Sequence, residues 1–321
     1  MDAPLSTAGA PLDDLLELVQ SMRRELRRRD EAPSGDWVEQ SANDLRSGTK
    51  VGWYYPITAG GGLAFYATQG REAYGHVHAG EGPESAARTL RLAHQLLDSL
   101  PATVGSIDVG FTGLAAEEER KLLLQLSERP GSTVIDRLAL ERELGPADAD
   151  GPGPAPDHLS LVPARAVTVE ALADLDRRAF SGTVDELLIG PSPDDYLRVL
   201  RAMLGGSLGR FLDEASVALL VPEPPTLVGT LLSGEQTPRT AIFLDFLVDP
   251  AARGRGYGRF LLRWGFRALW ALGYSSVRLW VTTANASARH LYDALGFRTI
   301  ATAAIYRWER GSAGPQPQAV R

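Results

Sequence analysis

Arg253-Gly254-Arg255-Gly256-Tyr257-Gly258 lies between an apolar run, Ala241 to Val248, and an amphipathic segment, Arg259 to Leu272. The run is typical of a buried strand, and the spacing of the segment predicts a helix. Alternate glycines let the backbone turn with its N–H groups exposed, because no Cβ blocks a positive φ. The helix directs its unpaired first-turn N–H groups and its positive dipole end into this turn. Together these features predict a cradle for a phosphate or pyrophosphate, to which Arg253 and Arg255 add positive charge.

Two other phosphate-binding loops are rich in glycine, and the spacing in this chain excludes both. A dinucleotide fold requires G-x-G-x-x-G and an acidic residue about 20 positions later. Here Arg259 occupies the place of the third glycine, and the later region, Gly273-Tyr274-Ser275-Ser276, contains no acid. A P-loop requires Gly-Lys-Ser/Thr, whereas lysine occurs only at positions 50 and 121. The ligand of the loop must therefore be sought in another family.

A second motif follows the loop. Arg253, Gly256 and Gly258 fit the pattern Arg-x-x-Gly-x-Gly, which is a weak signal alone. After the next helix and an apolar strand comes Asn285-Ala286-Ser287-Ala288-Arg289-His290-Leu291-Tyr292-Asp293-Ala294-Leu295-Gly296-Phe297. In this order, the loop, helix, strand and second motif resemble the GNAT superfamily of acetyl-CoA-dependent N-acetyltransferases. The resemblance implies that the loop binds acetyl-CoA, which serves as a co-substrate.

The hydrophobic pattern of the second half predicts the order β-α-α-β-β-β-α-β-α-β, which resembles the GNAT fold over about residues 159–309. The expected fold class is α/β (α+β), with a mixed, mostly antiparallel sheet and flanking helices. The predicted strands are 159–167, 216–221, 226–233, 241–248, 277–281 and 298–308, and the predicted helices are 169–180, 193–212, 259–272 and 286–295.

The first half repeats the second part of this order, with predicted strands at 62–68, 72–78, 106–111 and 133–141 and predicted helices at 84–100 and 115–127. Its equivalent of the loop, Ala79-Gly80-Glu81-Gly82-Pro83-Glu84-Ser85, has two acids, no arginine and a proline that removes an N–H donor. We interpret residues 1–145 as a degenerate GNAT-like domain without a CoA site, the alternative being an unrelated α/β domain. Residues 146–157 are predicted to be a Pro/Gly linker, 158–310 the catalytic GNAT domain and 311–321 a flexible tail.

The resemblance assigns roles to residues of the second half. It implies that the strand before the loop splays from its neighbour and that backbone groups of Phe246, Leu247 and Val248 hold the pantetheine arm and polarise the thioester carbonyl. Tyr292 matches the family's usual general acid. Asn285 is expected to contact the cofactor, to cap the following helix, or to do both. The loop itself contributes the expected cofactor-binding residues Arg253, Gly254, Arg255, Gly256, Tyr257, Gly258 and Arg259.

The general base is less clear from the sequence. The two positions where relatives carry a glutamate read Ile242 and Trp280 here, and neither can accept a proton. The absence of a glutamate at position 280 also disfavours an acetylase of protein N-termini. Asp245 is the nearby carboxylate, in an otherwise apolar strand. Three roles stay open for it: base with a raised pKa, anchor of the substrate ammonium, or structural partner of an arginine.

Composition limits the class of protein. The chain has 321 residues, no cysteine and a net charge of −7. Without cysteine there is no disulfide, no thiolate nucleophile and no Cys-ligated zinc. No apolar run is long enough to span a membrane, and no signal-peptide pattern begins the chain, so we expect a cytoplasmic protein. The negative charge argues against nucleic acid as a partner. His76 and His78 share one face of a predicted strand without a third ligand, so no metal is expected.

These observations predict an N-acetyltransferase that moves the acetyl group of acetyl-CoA to a primary amine by direct transfer in a ternary complex. A small-molecule acceptor is favoured over a protein, and the chain is expected to be a monomer or a homodimer. The alternative is a CoA-binding regulatory or scaffolding protein that has lost catalysis. Four acids near the segment between the first two helices of the second half are expected either to contact a cationic substrate or to be solvated surface: Asp185, Glu186, Asp194 and Asp195.

Overall fold

The computed structural model of the chain describes residues 3–28, 37–153, 159–190, 192–222 and 225–311. Two compact units are distinguished: unit 1 comprises residues 1–136 and 304–321, and unit 2 comprises residues 137–303. Part of the predicted linker, 154–157, and most of the predicted tail, 312–321, lie outside the described residues. None of the helices within the described ranges is long and apolar enough to cross a membrane.

Unit 2 has the order of elements that the sequence predicts. Its helices are α5 (Val169–Phe180), α6 (Glu186–Ile189), α7 (Pro193–Leu204), α8 (Tyr257–Ala271) and α9 (Ala286–Ala294). Its strands are the second part of β6 (Ser132–Glu143), β7 (Ser160–Pro163), β8 (Val217–Pro222), β9 (Pro225–Thr237), β10 (Thr240–Val248), β11 (Ser276–Thr282) and the first part of β12 (Arg298–Glu309).

The sheet of unit 2 has the strand order β6-β11-β10-β9-β8-β7. Strands β10 and β11 are parallel, and the other neighbours are antiparallel. Leu172 of α5 and Leu200 of α7 belong to one apolar core, whereas Leu261 and Phe266 of α8 belong to another. Each core also contains its own set of sheet residues. Helices α5 and α7 therefore cover one face of the sheet, and α8 covers the other. The predicted fold class, a mixed and mostly antiparallel sheet with flanking helices, is confirmed.

Three local differences from the predicted elements have simple causes. The helix predicted to run to residue 212 ends at Leu204, because Gly205 and Gly206 follow and Gly206 has a φ of +80°. The strand predicted to reach residue 167 ends at Pro163 and continues as a 3₁₀ turn, Ala164–Ala166. The short helix α6 was not predicted, since four residues carry too little periodicity.

Unit 1 contains a sheet of the order β1-β2-β3-β4-β5-β12. The predicted strands and helices of the first half are present, and the structure adds β1, α2 and β2, which are too short or too weakly patterned to predict. The elements are β1 (Leu5–Ser6), α1 (Leu12–Arg28), α2 (Trp37–Ser47), β2 (Val51–Tyr54), β3 (Gly62–Gln69), β4 (Glu72–Ala79), α3 (Ser85–Asp98), β5 (Ser106–Thr112), α4 (Ala116–Ser127), the first part of β6, and the last part of β12 (Arg298–Glu309).

The two units divide inside β6 and β12, and not at the predicted linker. Residues 137–143 of β6 pair with β11 of unit 2, from Arg137 opposite Thr282 to Glu143 opposite Ser276. Residues 306–309 of β12 pair with β5 of unit 1. Each of these strands has twelve residues, long enough to contribute to two units. The division therefore differs from the predicted boundary, because strand pairing outweighs the position of the Pro/Gly segment.

The first residues of the predicted linker are packed against unit 2. Arg142 donates from both Nη atoms to the carboxylate of Asp148, at 3.0 and 2.8 Å. The same guanidinium lies 4.1 Å from the ring centroid of Phe266, and its Nε donates to the carbonyl of Leu295 at 2.8 Å. Residues 145–148 thus belong to the packed part of unit 2 and do not form a free spacer.

Candidate active site

The parallel strands β10 and β11 separate partway along their length. They pair at Thr240, Ala241 and Ile242 of β10, opposite Ser276, Val277 and Arg278 of β11. Beyond this point β10 continues to residue 248 and β11 to residue 282, and the described residues show no further pairing between them. The separation leaves backbone N–H and C=O groups of both strands available to a ligand. The splay that the family resemblance implies is thus present in unit 2.

A bulge in β10 directs Asp245 to one face of the sheet. The register against β9 shifts between Phe243 and Asp245, so that Leu244 is an extra residue. Before the bulge, Phe243 packs in the core of α8. After it, Leu247 packs in the core of α5 and α7. Because side chains alternate along a strand, the extra residue turns Asp245 and Leu247 towards α5 instead of α8.

The partner of Asp245 is a second carboxyl group, Asp176 of α5. The two side chains hydrogen-bond with each other, and both are buried, with 2% of Asp176 and 9% of Asp245 exposed. Neither forms an ion pair with any described residue. Burial raises the pKa of Asp245 to about 7, against the opposing hydrogen bonds from Asp176 and the Phe246 N–H. Of the three roles predicted for Asp245, that of an arginine's partner is therefore not supported.

Tyr292 of α9 is buried next to these acids. Its ring contacts Phe246, with centroids 6.1 Å apart, and Phe297, with centroids 5.5 Å apart. Burial raises the pKa of Tyr292, and the negative charges of Asp245 and Asp185 raise it further. The phenol is consequently protonated at neutral pH and can act as a proton donor.

The glycine loop after β10 has the open backbone that the sequence predicts. Gly254 and Gly256 have φ values of +77° and +83°, and a Cβ at either position would meet no atom within 4 Å. At Gly258 a Cβ would lie 3.2 Å from the ring of Phe246, which is a tight contact. Helix α8 begins at Tyr257, and its first-turn N–H groups have no carbonyl within the helix to bond. The loop therefore fits an anionic ligand.

The arginines of the loop differ in their contacts. Arg255 and Arg259 are exposed. The side chain of Arg253 is also exposed, but it donates to the carbonyls of Ala179, at 3.2 Å, and Val248, at 3.3 Å. Arg253 thus connects the loop with the end of α5, while Arg255 and Arg259 carry the positive charge that faces solvent.

The other predicted cofactor residues lie as follows. Asn285 caps α9, accepting a hydrogen bond from the N–H of Ala288 at 3.1 Å. Phe246 and Val248 point to the face of α8, near Gly258, whereas Leu247 is buried on the opposite face. The structure therefore brings Phe246 against both the loop and Tyr292, and gives Leu247 a packing role through its side chain.

Only one of the acids between α5 and α7 points to the splayed strands. Asp185 accepts a hydrogen bond from the hydroxyl of Thr282, at the end of β11. Glu186 accepts the N–H of Gly182 at 2.9 Å, and Asp195 accepts the N–H of Ser192 at 3.0 Å. These two carboxylates stabilise local backbone, while Asp194 is exposed. Asp185 is the member of this group that belongs to the site.

Sequence reasoning missed Asp176 and Arg137. Asp176 falls on the stripe of α5 that also carries Leu172 and Ala179, and an acid on an apolar stripe was a usable signal. Arg137 lies opposite Thr282 on β6, and its guanidinium is 5.9 Å from the ring centroid of Trp280. Burial lowers the pKa of Arg137, and the charge of Asp185 opposes this shift. No sequence pattern points to Arg137, because the strand that carries it, β6, comes before the predicted catalytic domain.

The described residues of unit 1 show no equivalent opening. Its parallel strands β4 and β5 pair at all seven positions from Glu72 opposite Ser106 to His78 opposite Thr112. His76 and His78 both hydrogen-bond to the hydroxyl of Thr112, at 2.8 and 3.0 Å. No cluster of three or more potential metal ligands occurs among the residues that the structure describes.

The loop of unit 1 is also closed, by the side chain of Arg88 and the backbone of Gly60. Arg88 donates to the carbonyl of Glu81, and a Cβ on Gly80 would lie 2.0 Å from the carbonyl oxygen of Gly60. An anion would have to displace these contacts. The loop of unit 1 thus differs from the open loop after β10, and the absence of a CoA site in the first half stays a prediction.

We expect Gly80→Ala to lower the free energy of unfolding by about 3 kcal/mol, because the methyl group meets backbone atoms that cannot move aside. Chemical denaturation measures the change. Gly82→Ala is the control: its φ is +93° with no atom within 4 Å, so it costs only backbone strain of about 1–2 kcal/mol. Equal stability of the two variants would contradict the close packing.

Comparison with known proteins finds a family match within unit 2. Residues 170–297 match the Acetyltransferase (GNAT) family. Mycothiol acetyltransferases of Gordonia bronchialis and Frankia casuarinae are 48% identical over 59 residues and 45% identical over 67 residues. These matches span 18% and 21% of this chain and 19% and 20% of the relatives, so only about a fifth of their length is compared.

Solved structures resemble the whole chain in fold. A GCN5-related N-acetyltransferase from Sphaerobacter thermophilus has a TM-score of 0.60 at 16% identity and covers 94% of each chain. A tandem GNAT protein from the clavulanic acid biosynthesis pathway has a TM-score of 0.57 at 14% identity and covers 98% of each chain. At these identities the similarity concerns the fold alone, and it agrees with two GNAT-like halves.

Proposed function

We propose, from the premise that residues 170–297 form a GNAT acetyltransferase domain, that this protein transfers the acetyl group of acetyl-CoA to a primary amine. The observation that carries the proposal is the opening between β10 and β11. Phe246 borders it and contacts both the glycine loop, through Gly258, and the ring of Tyr292. The loop proposed to bind the phosphates of acetyl-CoA and the proposed proton donor, Tyr292, thus lie on either side of the Phe246 side chain.

The residues that would hold acetyl-CoA follow from this arrangement. The exposed N–H groups of Gly254 and Gly256 and the first turn of α8 suit the pyrophosphate, and Arg255 and Arg259 add charge. The unpaired edge of β10 from Phe246 to Val248 suits the pantetheine arm, since its backbone groups lack a strand partner on that side. Backbone donors directed at the thioester oxygen stabilise its developing negative charge by a few kcal/mol.

Two side chains supply the proton transfers. Tyr292, whose pKa is raised, is the proposed acid that protonates the departing thiolate. Asp245, with a pKa of about 7, is the proposed base for the acceptor amine, because an acid with that pKa accepts protons at neutral pH. The chain contains no cysteine, so a cysteine-linked acyl-enzyme is excluded and direct transfer is the simplest route.

A small amine is the proposed acceptor. Asp185 and Asp245 make the surroundings of Tyr292 acidic, which favours a cationic substrate. Both Asp245 and Tyr292 are buried, and a slim molecule reaches such groups more easily than a folded protein does. The curated relatives are named for mycothiol, which supports a small molecule as the acceptor class.

The test is thiol release from acetyl-CoA in the presence of small amines, amino sugars, polyamines and peptide N-termini. We expect one class to stimulate release, and Asp245→Asn to lower kcat/KM about 10²–10³-fold with an unchanged Kd for acetyl-CoA. Asp194→Asn, at an exposed carboxylate, is the matched control and should keep full activity. Acetyl-CoA binding without turnover on any amine would instead support a regulatory or scaffolding protein.

A further inference from the structure

The carboxyl pair of Asp176 and Asp245 is a buried group that packing alone does not explain. The pair lies beside the apolar core of α5 and α7. One oxygen of each carboxyl, Oδ1 of Asp176 and Oδ2 of Asp245, is buried without a hydrogen-bond partner. The hydroxyl of Tyr196, on α7, is also buried and without a partner. Three polar groups from three elements thus remain unsatisfied in one region.

Such a pair opposes folding. Two adjacent carboxylates cannot both be ionised in a buried place, so the pair holds at least one proton at neutral pH. Replacing buried charged or polar groups by apolar side chains of similar volume is often neutral or stabilising. The pair is therefore better explained by a role in the chemistry of the site than by a role in stability.

The charged and titratable groups around the pair offer no compensating cation. Tyr292 of α9 faces Asp245, and Tyr196 of α7 faces Asp176. Asp185 and Glu186, between α5 and α7, add negative charge, as Asp195 of α7 does. The charge of Arg177, on α5, lowers the pKa of Tyr196, but this side chain is half exposed and forms an ion pair with Asp174. Burial raises the pKa of Asp245, and among the neighbouring side chains it is Asp176 whose hydrogen bond opposes that rise.

We infer that Asp176 is a positioning residue of the acetyl transfer: it holds a proton in the hydrogen bond to Asp245 and so presents Asp245 as a single carboxylate to the acceptor amine. The inference rests on the proposed function. Asp176 does not touch the substrate in this proposal. It acts through Asp245, and α5 places it there because residue 176 lies one helical turn from Leu172 and faces the sheet.

The proton balance is as follows. The acceptor enters as R–NH₃⁺ and transfers one proton to Asp245, so that the pair becomes doubly protonated and neutral. The free amine forms the N–C bond with the acetyl carbon, and the C–S bond breaks. Tyr292 gives its proton to the thiolate and recovers one from the new amide nitrogen. The pair then releases one proton to solvent, and the products are R–NH–acetyl, CoA-SH and H⁺.

The test compares Asp176→Asn with Asp176→Leu in the pH profile of kcat/KM. The wild type should gain activity as the pH rises through about 7, where Asp245 loses its proton. An asparagine amide still donates a hydrogen bond to the Asp245 carboxylate, so the midpoint should stay within about half a pH unit. A leucine removes the donor, and the midpoint should rise by about one pH unit or more, with about tenfold lower activity below it.

Two outcomes overturn the inference: the leucine variant keeps the midpoint of the wild type, or both variants lose activity equally with an unmoved midpoint. The second outcome would mean that Asp176 only supports packing. A second measurement, which depends neither on activity nor on the leucine variant, accompanies the profile.

The second measurement is the denaturation midpoint of the wild type and of the double variant Asp176→Asn/Asp245→Asn as a function of pH. A carboxyl whose pKa is raised in the folded state binds more protons when folded, so the stability of the wild type falls as the pH rises from about 4 to about 7. The double variant should show a smaller fall, because the raised pKa of Asp108, about 6, still contributes part of it. Parallel curves of the two proteins would overturn the inference. If the curves differ as expected but no amine is acetylated, the inferred hydrogen bond between the two acids is retained and only the proposed function is rejected.

Discussion

Gly256→Glu is expected to abolish acetyl-CoA binding while the protein remains folded. The Gly256 position is open, since a Cβ there meets no atom within 4 Å. Its carboxylate would lie where the proposed pyrophosphate binds, and two like charges about 4 Å apart repel by about 4 kcal/mol near a protein surface. That energy corresponds to about a 10³-fold weaker Kd. Isothermal titration of acetyl-CoA measures the change.

The control is Gly273→Glu, at the other end of α8. Gly273 has a φ of +89°, close to the +83° of Gly256, and it is equally open. Both variants therefore cost about the same backbone strain of 1–2 kcal/mol and introduce the same charge. Gly273→Glu should bind acetyl-CoA with the affinity of the wild type. Equal affinities of the two variants would refute the assignment of the loop.

Tyr292→Phe is expected to lower kcat about 10²–10³-fold with little change in the KM for acetyl-CoA. The phenylalanine ring keeps the contacts with Phe246 and Phe297, so only the proton donor is lost. In the wild type, activity should persist as the pH rises through 10, the ordinary pKa of tyrosine, because burial and the neighbouring acids raise the pKa of Tyr292. Steady-state kinetics across this range measure both effects.

Tyr274→Phe is the control that distinguishes loss of the proposed proton donor, Tyr292, from the general effect of losing a buried tyrosine hydroxyl. Tyr274 is 4% exposed, and its hydroxyl donates to Glu235 at 2.6 Å. Its loss should reduce stability by about 1–3 kcal/mol and leave kcat unchanged. If Tyr292→Phe retained more than about half of the wild-type kcat, another group would have to protonate the thiolate.

The elements of unit 2 were largely predictable because each depends on nearby residues. Helix α5 has the predicted bounds, 169–180, since Thr168 caps its start and leucines repeat on one face. The glycine loop was read correctly as an open turn before a helix, because positive φ angles at Gly254 and Gly256 follow from the residue type.

The environment of Asp245 was not predictable from its own strand. Alternation along β10 would place Asp245 on the same face as Phe243, which packs against α8. The bulge at Leu244 turns Asp245 to the other face of the sheet. This bulge is set by the register with β9 and not by any sequence pattern within β10. The partner, Asp176, comes from a helix far earlier in the chain, so the choice among base, anchor and arginine partner needed the structure.

Local sequence was therefore sufficient for the order of strands and helices, the glycine loop and the place of Tyr292 on α9, since periodicity, glycine and capping act over a few residues. Packing and register decided the rest: the end of β10–β11 pairing at Ile242, the meeting of Asp176 with Asp245, and the division of the units inside β6 and β12. These features join residues distant in the chain. Their free energy comes from burial and strand pairing between such residues, which no short stretch of sequence records.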